Sequence, residues 1–225
     1  MEIDILKILL SDNGMSDIIP KRKIKEGGYK LVYEVDVNHV PEAFKLIAIP
    51  NDNIPDIDKF QLEVRSRVWR EIEALSKCQR PEIVKLGSVS PRIIHYNGIE
   101  YIIYSEEFLN GNDLWDLIMA GGEKPKENEL KVLLLSLLKA ISELWDLGYV
   151  HRDIKPGNII KTSIPIRPFV LLDLGIAYSI NEASLTYRPG SRIMATYRYL
   201  APELIRPDFR ENIDYRSDLY TTALT

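Results

Sequence analysis

The clearest pattern of hydrophobic and polar positions in the chain lies over residues 129–147. Apolar side chains recur there at the i, i+3, i+4 and i+7 spacing of one helix face, and they are Leu130, Leu133, Leu134, Leu137, Leu138, Ile141, Leu144 and Trp145. Gly148 follows at the position where a glycine often ends a helix. The pattern predicts a helix over Glu129–Leu147 that buries this face.

Shorter apolar runs predict strands. Phe169–Leu172 is an apolar, β-prone run, and Asn158–Ile160 begins another strand before a proline-broken turn over Ile164–Pro168. Tyr101–Tyr104 predicts a further strand, and two strand-like runs meet within Ile24–Tyr33. These strands flank the segments in which the candidate chemistry lies.

Two further segments are assigned before any chemistry is considered. Lys59–Cys78 has helical periodicity, and the Asp- and Pro-rich stretch Asn51–Lys59 before it predicts a loop. Met1–Leu10 is a short amphipathic segment in which acidic and basic residues are mixed, which does not fit a signal peptide.

Composition favours a soluble domain large enough for two small lobes. The chain has 225 residues, 45% of them apolar, and a net charge of −4. It contains no uncharged apolar run of about 18 residues, and its short basic cluster Lys21–Lys23 is no nucleic-acid footprint. The single cysteine, Cys78, excludes an internal disulfide and predicts a cytoplasmic protein. Because it falls on an apolar helix face, we interpret Cys78 as a buried small side chain.

The stretch His151–Asn158, H-R-D-I-K-P-G-N, carries the most specific chemical pattern in the chain. Its Asp153, Lys155 and Asn158 have the types and spacing of a phosphoryl-transfer loop. Asp173 follows the predicted strand 169–172 and opens Asp173-Leu174-Gly175, a D-F-G variant whose leucine keeps an apolar anchor. Asn158 and Asp173 offer the oxygen ligands that Mg²⁺ prefers.

With these motifs the chain resembles the eukaryotic-type protein kinase family, in its serine/threonine branch. Ala201-Pro202-Glu203 matches the A-P-E motif, and residues 195–200 are similar to the loop that receives the substrate. Asp214–Tyr220 resembles the start of the central helix, whose aspartate, here Asp218, braces the catalytic loop. The resemblance covers roughly residues 18–225.

The resemblance implies an α+β, bilobal fold. After an N-terminal extension over 1–17, it implies a small antiparallel-sheet N-lobe with one main helix over 18–106 and a mostly helical C-lobe over 107–225. A complete domain of this family would continue past the central helix. We therefore expect the chain to be a fragment, with missing C-terminal helices or a partner covering the C-lobe.

The resemblance also implies catalytic roles. Asp153 would accept the proton of the attacking hydroxyl, Lys155 would steady the migrating phosphoryl group, and Asn158 and Asp173 would hold Mg²⁺. Arg152 would pair with a phosphate on the activation segment. The candidate acceptors there are Ser184, Thr186, Tyr187 and Ser191, with Thr196 weaker.

The glycine-rich loop is degraded. Aligning Val32 with the family's valine puts Lys25 and Lys30 at the first and third glycine positions, so only Gly27 matches, with Gly28 beside it. Fewer glycines weaken the backbone cradle for phosphates, and the lysines add positive charge.

Further ATP-binding residues follow from the same alignment. Glu42-Ala43-Phe44-Lys45 matches the V-A-I-K strand, which assigns Lys45 to the α- and β-phosphates and Glu71 as its ion-pair partner. Glu63 and Glu73 are the alternatives to Glu71. Glu107-Phe108-Leu109 resembles the hinge whose backbone binds adenine. With it, the predicted ATP-binding residues are Ile24, Gly27, Gly28, Val32, Ala43, Lys45, Glu71, Glu107 and Leu109.

One position near the adenine site stays open. If Glu107 is the hinge glutamate, Glu106 guards the back of the adenine pocket, and a one-residue slip would give that role to Ser105.

The sequence therefore predicts a kinase that uses ATP and Mg²⁺ to phosphorylate Ser or Thr of protein substrates. The alternative is a pseudokinase or nucleotide-binding interaction module, inactive because of truncation and the degraded loop. A small-molecule kinase is a third hypothesis, disfavoured by A-P-E and Lys155.

Overall fold

The structure, a computed structural model, describes residues 1–27, 29–51, 56–121, 125–174, 178–179, 199–205 and 213–225. The chain divides into two units. The first contains Met1–Ile72 and Lys85–Phe108, and the second contains Glu73–Val84 and Leu109–Thr225. A five-stranded antiparallel sheet in the first unit and several helices in the second confirm the predicted α+β class.

The first unit is built on that antiparallel sheet, with strand order β1-β2-β3-β5-β4. Its strands are β1 (Ile18–Glu26), β2 (Lys30–Val37), β3 (Val40–Ala48), β4 (Arg92–Tyr96) and β5 (Ile99–Glu107). Helix α1 (Ile3–Asp12) precedes them, and helix α2 (Ile57–Lys77) follows β3. The predicted loop over Asn51–Lys59 is wrong for Ile57 and Asp58, which begin helix α2, where the acidic Asp58 suits the helix N-terminus. Residues 52–55 of that loop lie outside the described residues.

One face of the sheet forms a core with helix α1. Tyr33, Phe44 and Ile103 lie on this face and are fully buried. Leu6 and Leu9 of α1 are fully buried against it. Helix α1 is therefore part of this core. Burial of one leucine contributes about 1.5–3 kcal/mol to stability.

Strand alternation sends another set of side chains to the opposite face. In the register of β2, β3 and β5, Val32 lies opposite Lys45 and Lys45 lies opposite Tyr104. Residues two positions along share that face, which places Lys30 and Glu106 on it. Of the candidate residues on these strands, Val32, Ala43, Lys45 and Glu106 therefore share the face away from α1.

The second unit is mainly helical. Its helices are α3 (Leu114–Met119), α4 (Glu127–Asp146), α5 (Pro202–Ile205) and α6 (Tyr215–Leu224). Its strands are β6 (Gly111–Asp113), β7 (Tyr149–Val150), β8 (Ile159–Thr162), β9 (Phe169–Leu171) and β10 (Tyr178–Ser179). Strands β6, β8 and β9 form one sheet, β7 pairs with β10, and a 3₁₀ turn covers Pro156–Asn158.

Only part of the apolar face predicted for helix α4 is buried. Leu137, Ile141 and Leu144 are buried as expected, and the small Ala140 joins them in contact with β7, β9 and α6. By contrast, Leu130, Leu134, Leu138 and Trp145 are exposed by 36–48%. The covered stripe of α4 is therefore narrower than its apolar face. Gly148, at φ 81°, ends the helix as predicted.

Among the described residues, no helix combines the length and apolar character needed to cross a membrane.

Candidate functional site

The candidate catalytic loop runs from β7 to the 3₁₀ turn and brings its predicted residues together. Lys155 Nζ donates to Asp153 Oδ2 at 2.7 Å. Asn158 Nδ2 donates to the same oxygen at 3.0 Å and to the Asp153 carbonyl at 2.9 Å. The other carboxylate oxygen, Oδ1, is buried and accepts no hydrogen bond from the described residues. One oxygen of Asp153 is thus fixed, and the second remains able to accept a proton.

Asp218 holds the backbone of this loop from helix α6. Its Oδ2 accepts the peptide N–H of His151 and its Oδ1 accepts that of Arg152, both at 2.8 Å. Arg152 has φ 67°, in the left-handed region that non-glycine residues seldom adopt. Such a conformation costs on the order of 1–3 kcal/mol and persists only where its surroundings impose it. The paired hydrogen bonds to Asp218 impose it here.

His151 joins the loop to the end of strand β9. Its Nδ1 accepts the peptide N–H of Asp153 at 3.2 Å, and its Nε2 lies 3.0 Å from the carbonyl oxygen of Leu172. Because a carbonyl only accepts, this network assigns the ring proton to Nε2. The next residue, Asp173, also has a left-handed backbone, with φ 61°. One imidazole therefore ties Asp153 to the backbone next to Asp173.

The electrostatics of the loop favour a base with a raised pKa. Burial raises the pKa of the Asp153 carboxyl, whereas Lys155 and His151 lower it and Asp173 raises it. Burial likewise raises the pKa of Asp218, against the lowering effect of His151 and of the peptide N–H bonds it accepts. Asp153 is therefore a stronger proton acceptor than an ordinary surface aspartate.

Asn158 and Asp173 fit the donor set of a Mg²⁺ ion. Both hydrogen bonds that Asn158 Nδ2 donates go to Asp153, which leaves its amide oxygen as the atom able to bind a cation. Within the described parts of the chain, no three His, Cys, Asp or Glu side chains cluster as a metal cage. Mg²⁺ does not need one, because at nucleotide sites it takes one or two protein oxygens together with phosphates and water.

A cluster of four charged side chains lies on the sheet face away from α1. Lys45 Nζ donates to Glu71 Oε1 at 3.0 Å and also to Glu106 Oε1. Lys30 Nζ donates to the same Glu71 oxygen at 3.1 Å. Lys45 also lies 5.2 Å from the ring centroid of Tyr104. Below, these four residues, Lys30, Lys45, Glu71 and Glu106, are called the charge cluster.

Three of the four side chains of the charge cluster are almost fully shielded from solvent. The side chains of Lys45, Glu71 and Glu106 are exposed by 5%, 3% and 4%, and that of Lys30 by 23%. Burial raises the pKa of the Glu106 carboxyl, and the ammonium of Lys45 acts in the opposite direction. Buried carboxylates and ammonium groups of this kind persist only with partners.

The residues that the sequence offers as alternatives to Glu71 and Glu106 have other partners in the structure. Glu63 pairs with Arg67 and Glu73 pairs with Lys77, both along helix α2. Ser105 lies on the other sheet face, where its hydroxyl donates to Glu42 Oε2 at 2.5 Å. Thus Glu71, rather than Glu63 or Glu73, contacts Lys45, and Glu106, rather than Ser105, lies on the sheet face of Lys45.

The sequence profile of the family described as "Protein kinase domain" matches residues 19–225. The chain belongs to the protein kinase domain family.

Curated relatives of this kinase domain carry serine/threonine-protein kinase names. It is 30% identical to a probable serine/threonine-protein kinase of Streptomyces coelicolor, over 71% of this chain and 22% of that protein. It is 29% identical to the probable serine/threonine-protein kinase PknB of Bifidobacterium longum, over 70% of this chain and 22% of that protein. For the serine/threonine-protein kinase ppk23 of Schizosaccharomyces pombe, the values are 30%, 92% and 48%. The chain thus spans about a fifth to a half of the length of these relatives.

The remaining predicted ATP-binding residues of the kinase domain take varied positions. Val32 and Ala43 are partly exposed on the sheet face of the charge cluster. Ile24 is exposed by 43% and falls where the β1–β2 register shifts. Glu107 Oε1 accepts the peptide N–H of Lys85 at 2.9 Å. Leu109, in the second unit, is buried.

Several predicted positions lie outside the described residues. They are Gly28, Gly175, Ser184, Thr186, Tyr187, Ser191 and Thr196. Of the A-P-E motif, Ala201 is buried, and Glu203 on helix α5 accepts a hydrogen bond from the hydroxyl of Ser217.

Two contacts of the kinase domain escaped the sequence prediction. The sequence predicts Glu106 as a residue lining the adenine site and not as a partner of Lys45, and it predicts Lys30 as a positive charge in place of a glycine, not as a partner of Glu71. The missing signal is strand register. Ala43 pairs with Glu106 across β3 and β5, and only this pairing brings Glu106 next to Lys45.

Proposed function

We propose that this kinase domain transfers the γ-phosphate of ATP to Ser or Thr hydroxyls of protein substrates. The observation that carries the proposal is the Asp153 carboxylate. Lys155 and Asn158 hold one of its oxygens, and the other is buried without a hydrogen bond from the described residues. The serine/threonine-protein kinase names of the relatives support the nucleophile class.

In this proposal the catalytic loop orients and deprotonates the substrate hydroxyl. Asp153 Oδ1 accepts its proton, and the raised pKa of that carboxyl suits a base. Lys155, 2.7 Å from Asp153, provides the positive charge that steadies the migrating phosphoryl group. His151 and Asp218 keep the loop backbone in place, so the carboxylate needs little reorganisation during transfer.

The proposal also assigns residues to Mg²⁺ and to the nucleotide. Asn158 and Asp173 would hold Mg²⁺, which, when bound, neutralises phosphate charge. In the first unit, Lys45, oriented by Glu71, would contact the α- and β-phosphates. The other ATP-binding residues that we propose are Ile24, Gly27, Gly28, Val32, Ala43, Glu107 and Leu109.

We place the protein in the cytoplasm. Its one cysteine, Cys78, is buried, which suits a reducing compartment and requires no oxidising environment.

A phosphotransfer assay with a matched binding measurement tests the proposal. The chain is incubated with Mg²⁺, γ-labelled ATP and a generic basic protein, and phosphoamino acids are then identified. We expect phosphoserine and phosphothreonine with the wild type and none with Asp153→Asn. A wild-type chain that binds Mg²⁺-ATP in a thermal-shift titration without transferring phosphate would establish the pseudokinase alternative. Mainly phosphotyrosine would refute the nucleophile class.

A further inference from the structure

The charge cluster gives Lys45 an unusual pair of partners. Its ammonium contacts two carboxylates, Glu71 and Glu106, and all three side chains are at most 5% exposed. A lysine bound by two acidic groups has its positive charge matched inside the protein. Lys45 therefore offers a phosphate less net attraction than a lysine with one carboxylate partner would.

Lys30 supplies the second positive charge of the cluster. Its Nζ lies 3.1 Å from Glu71 Oε1, the same oxygen that Lys45 contacts at 3.0 Å. With two ammonium groups and two carboxyl groups, the charge cluster is arranged as an alternating chain, Lys30–Glu71–Lys45–Glu106. In a weakly hydrated environment, Lys30 offsets the excess of carboxylates around Lys45.

The two lysines differ in access to solvent. The Lys45 side chain is 5% exposed and that of Lys30 is 23% exposed, so Lys30 is the cation that an incoming anion can reach. The backbone of Lys30 is also joined to that of Gly27. The peptide N–H of Gly27 donates to the Lys30 carbonyl at 2.8 Å, and that of Lys30 donates back to Gly27 at 3.3 Å.

The position of Lys30 in the sheet places its solvent-accessible ammonium on the same face as Lys45. Lys30 is the first residue of β2, and Lys45 lies in β3. Val32, two residues after Lys30, pairs with Lys45, so both lysines lie as diagonal neighbours on one face of the sheet. The lysine stem has four carbons and rotates freely. Lys30 can therefore keep its contact with Glu71 or turn toward a phosphate at the same edge.

We infer that Lys30 is a second phosphate-binding lysine of this kinase domain, dividing with Lys45 a task that one lysine would otherwise perform. Glu106 anchors Lys45, and the ammonium of Lys30 contacts the phosphate chain of the nucleotide. The inference rests on the proposed function in that ATP is the nucleotide.

Binding measurements with three probes separate a phosphate contact from a structural role. The dissociation constants of ATP and ADP, each with Mg²⁺, and of adenosine are measured by calorimetry for the wild type, Lys30→Met, Lys30→Gln and Lys30→Arg. Lys21→Met is the matched control, because Lys21 also lies in this sheet and its ion pair with Asp36 is on the surface. Melting temperatures verify that each variant is folded.

We expect Lys30→Met and Lys30→Gln to bind ATP and ADP about 10- to 100-fold more weakly, the scale of a lost charge-assisted hydrogen bond. Adenosine affinity should stay within about twofold, since adenosine carries no phosphate. Lys30→Arg should retain most of the affinity because it keeps the charge, and Lys21→Met should match the wild type.

Two results would overturn the inference. One is unchanged ATP affinity in both neutral variants, and the other is an equal loss for adenosine and ATP, which would indicate damage to the fold of the site. A wild-type chain that binds no nucleotide would overturn it too. If ATP binds and depends on Lys30 while no phosphate is transferred, the proposed function fails and the inference stands.

Discussion

The carboxylate of Asp218 accepts the peptide N–H of Arg152 at 2.8 Å and keeps that residue at φ 67°. The hydrogen bond joins helix α6 to the loop that carries Asp153. Because Asp218 is almost fully buried, its other oxygen accepts the N–H of His151 without competition from water. The position of the candidate base thus depends on a carboxylate far from it in sequence.

We expect Asp218→Asn to lower both stability and turnover. An asparagine offers one accepting oxygen instead of two and turns a donor toward a backbone N–H, which costs about 1–3 kcal/mol of unfolding free energy. Urea denaturation and phosphotransfer rates measure the two effects. Asp4→Asn is the control, since that side chain is 88% exposed. If the stability and turnover of Asp218→Asn match those of the wild type, the hydrogen bonds from His151 and Arg152 to Asp218 are not needed.

Asp153→Asn and Asp173→Asn should fail in different ways. The first removes the proton acceptor, so transfer should fall by roughly 10²–10⁴-fold while Mg²⁺-ATP affinity stays nearly constant. The second removes a proposed metal ligand, so Mg²⁺-dependent nucleotide binding itself should weaken. Calorimetry and single-turnover kinetics on both variants provide the comparison. Equal losses of binding in the two variants would contradict the assigned roles.

The pH dependence of transfer should respond to Lys155. Burial raises the pKa of Asp153 and Lys155 lowers it, so removing the ammonium should raise that pKa further. Since the proposed reaction needs the charged carboxylate of Asp153, activity should be lost as pH falls through this pKa. In Lys155→Met the acid limb of the kcat profile should therefore begin at higher pH.

Lys161→Met is the matched control for that profile. Lys161 pairs with Glu129 at the surface of the same unit and does not contact Asp153. Its acid limb should coincide with that of the wild type. An acid limb that stays in place in Lys155→Met would show that another group controls the titration.

Helix α1 permits a stability test within two adjacent residues. Leu9 is fully buried and Ile8 is 51% exposed. Leu9→Ala should lower the unfolding free energy by about 2–5 kcal/mol through lost burial and a cavity. Ile8→Ala should change it by less than about 1 kcal/mol. Chemical denaturation of both variants would decide, and equal effects would show that α1 does not pack as described.

The sequence predicts those parts of the site that are contiguous in the chain. Asp153, Lys155 and Asn158 meet because a short loop and a 3₁₀ turn bring them together, so their spacing alone implies their proximity. The contact between Lys45 and Glu106 depends on which residues pair across β3 and β5. A shift of one residue would have placed Ser105 there instead.

The same distinction applies to the fold. The helical period in α4 depends on local spacing and predicts the helix, whereas the width of its covered face depends on which elements pack against it. Leu134 and Leu137 both fit the apolar pattern, yet only Leu137 is buried. Periodicity identifies an apolar face, and tertiary packing decides how much of it is covered.

The left-handed backbones of Arg152 and Asp173 set a limit on engineering this protein for heat tolerance. A common stabilising change replaces a residue of positive φ with glycine, which adopts that conformation without steric cost. Turn residues such as Asn38, at φ 51°, and Asn97, at φ 49°, are open to it. At Asp173 the same change would remove the carboxylate proposed to hold Mg²⁺, and at Arg152 it would remove the cation that the resemblance assigns to a phosphate on the activation segment. Thermal robustness and catalysis therefore make opposite demands at these two positions, and a selection for stability alone would drive the chain toward an inert scaffold.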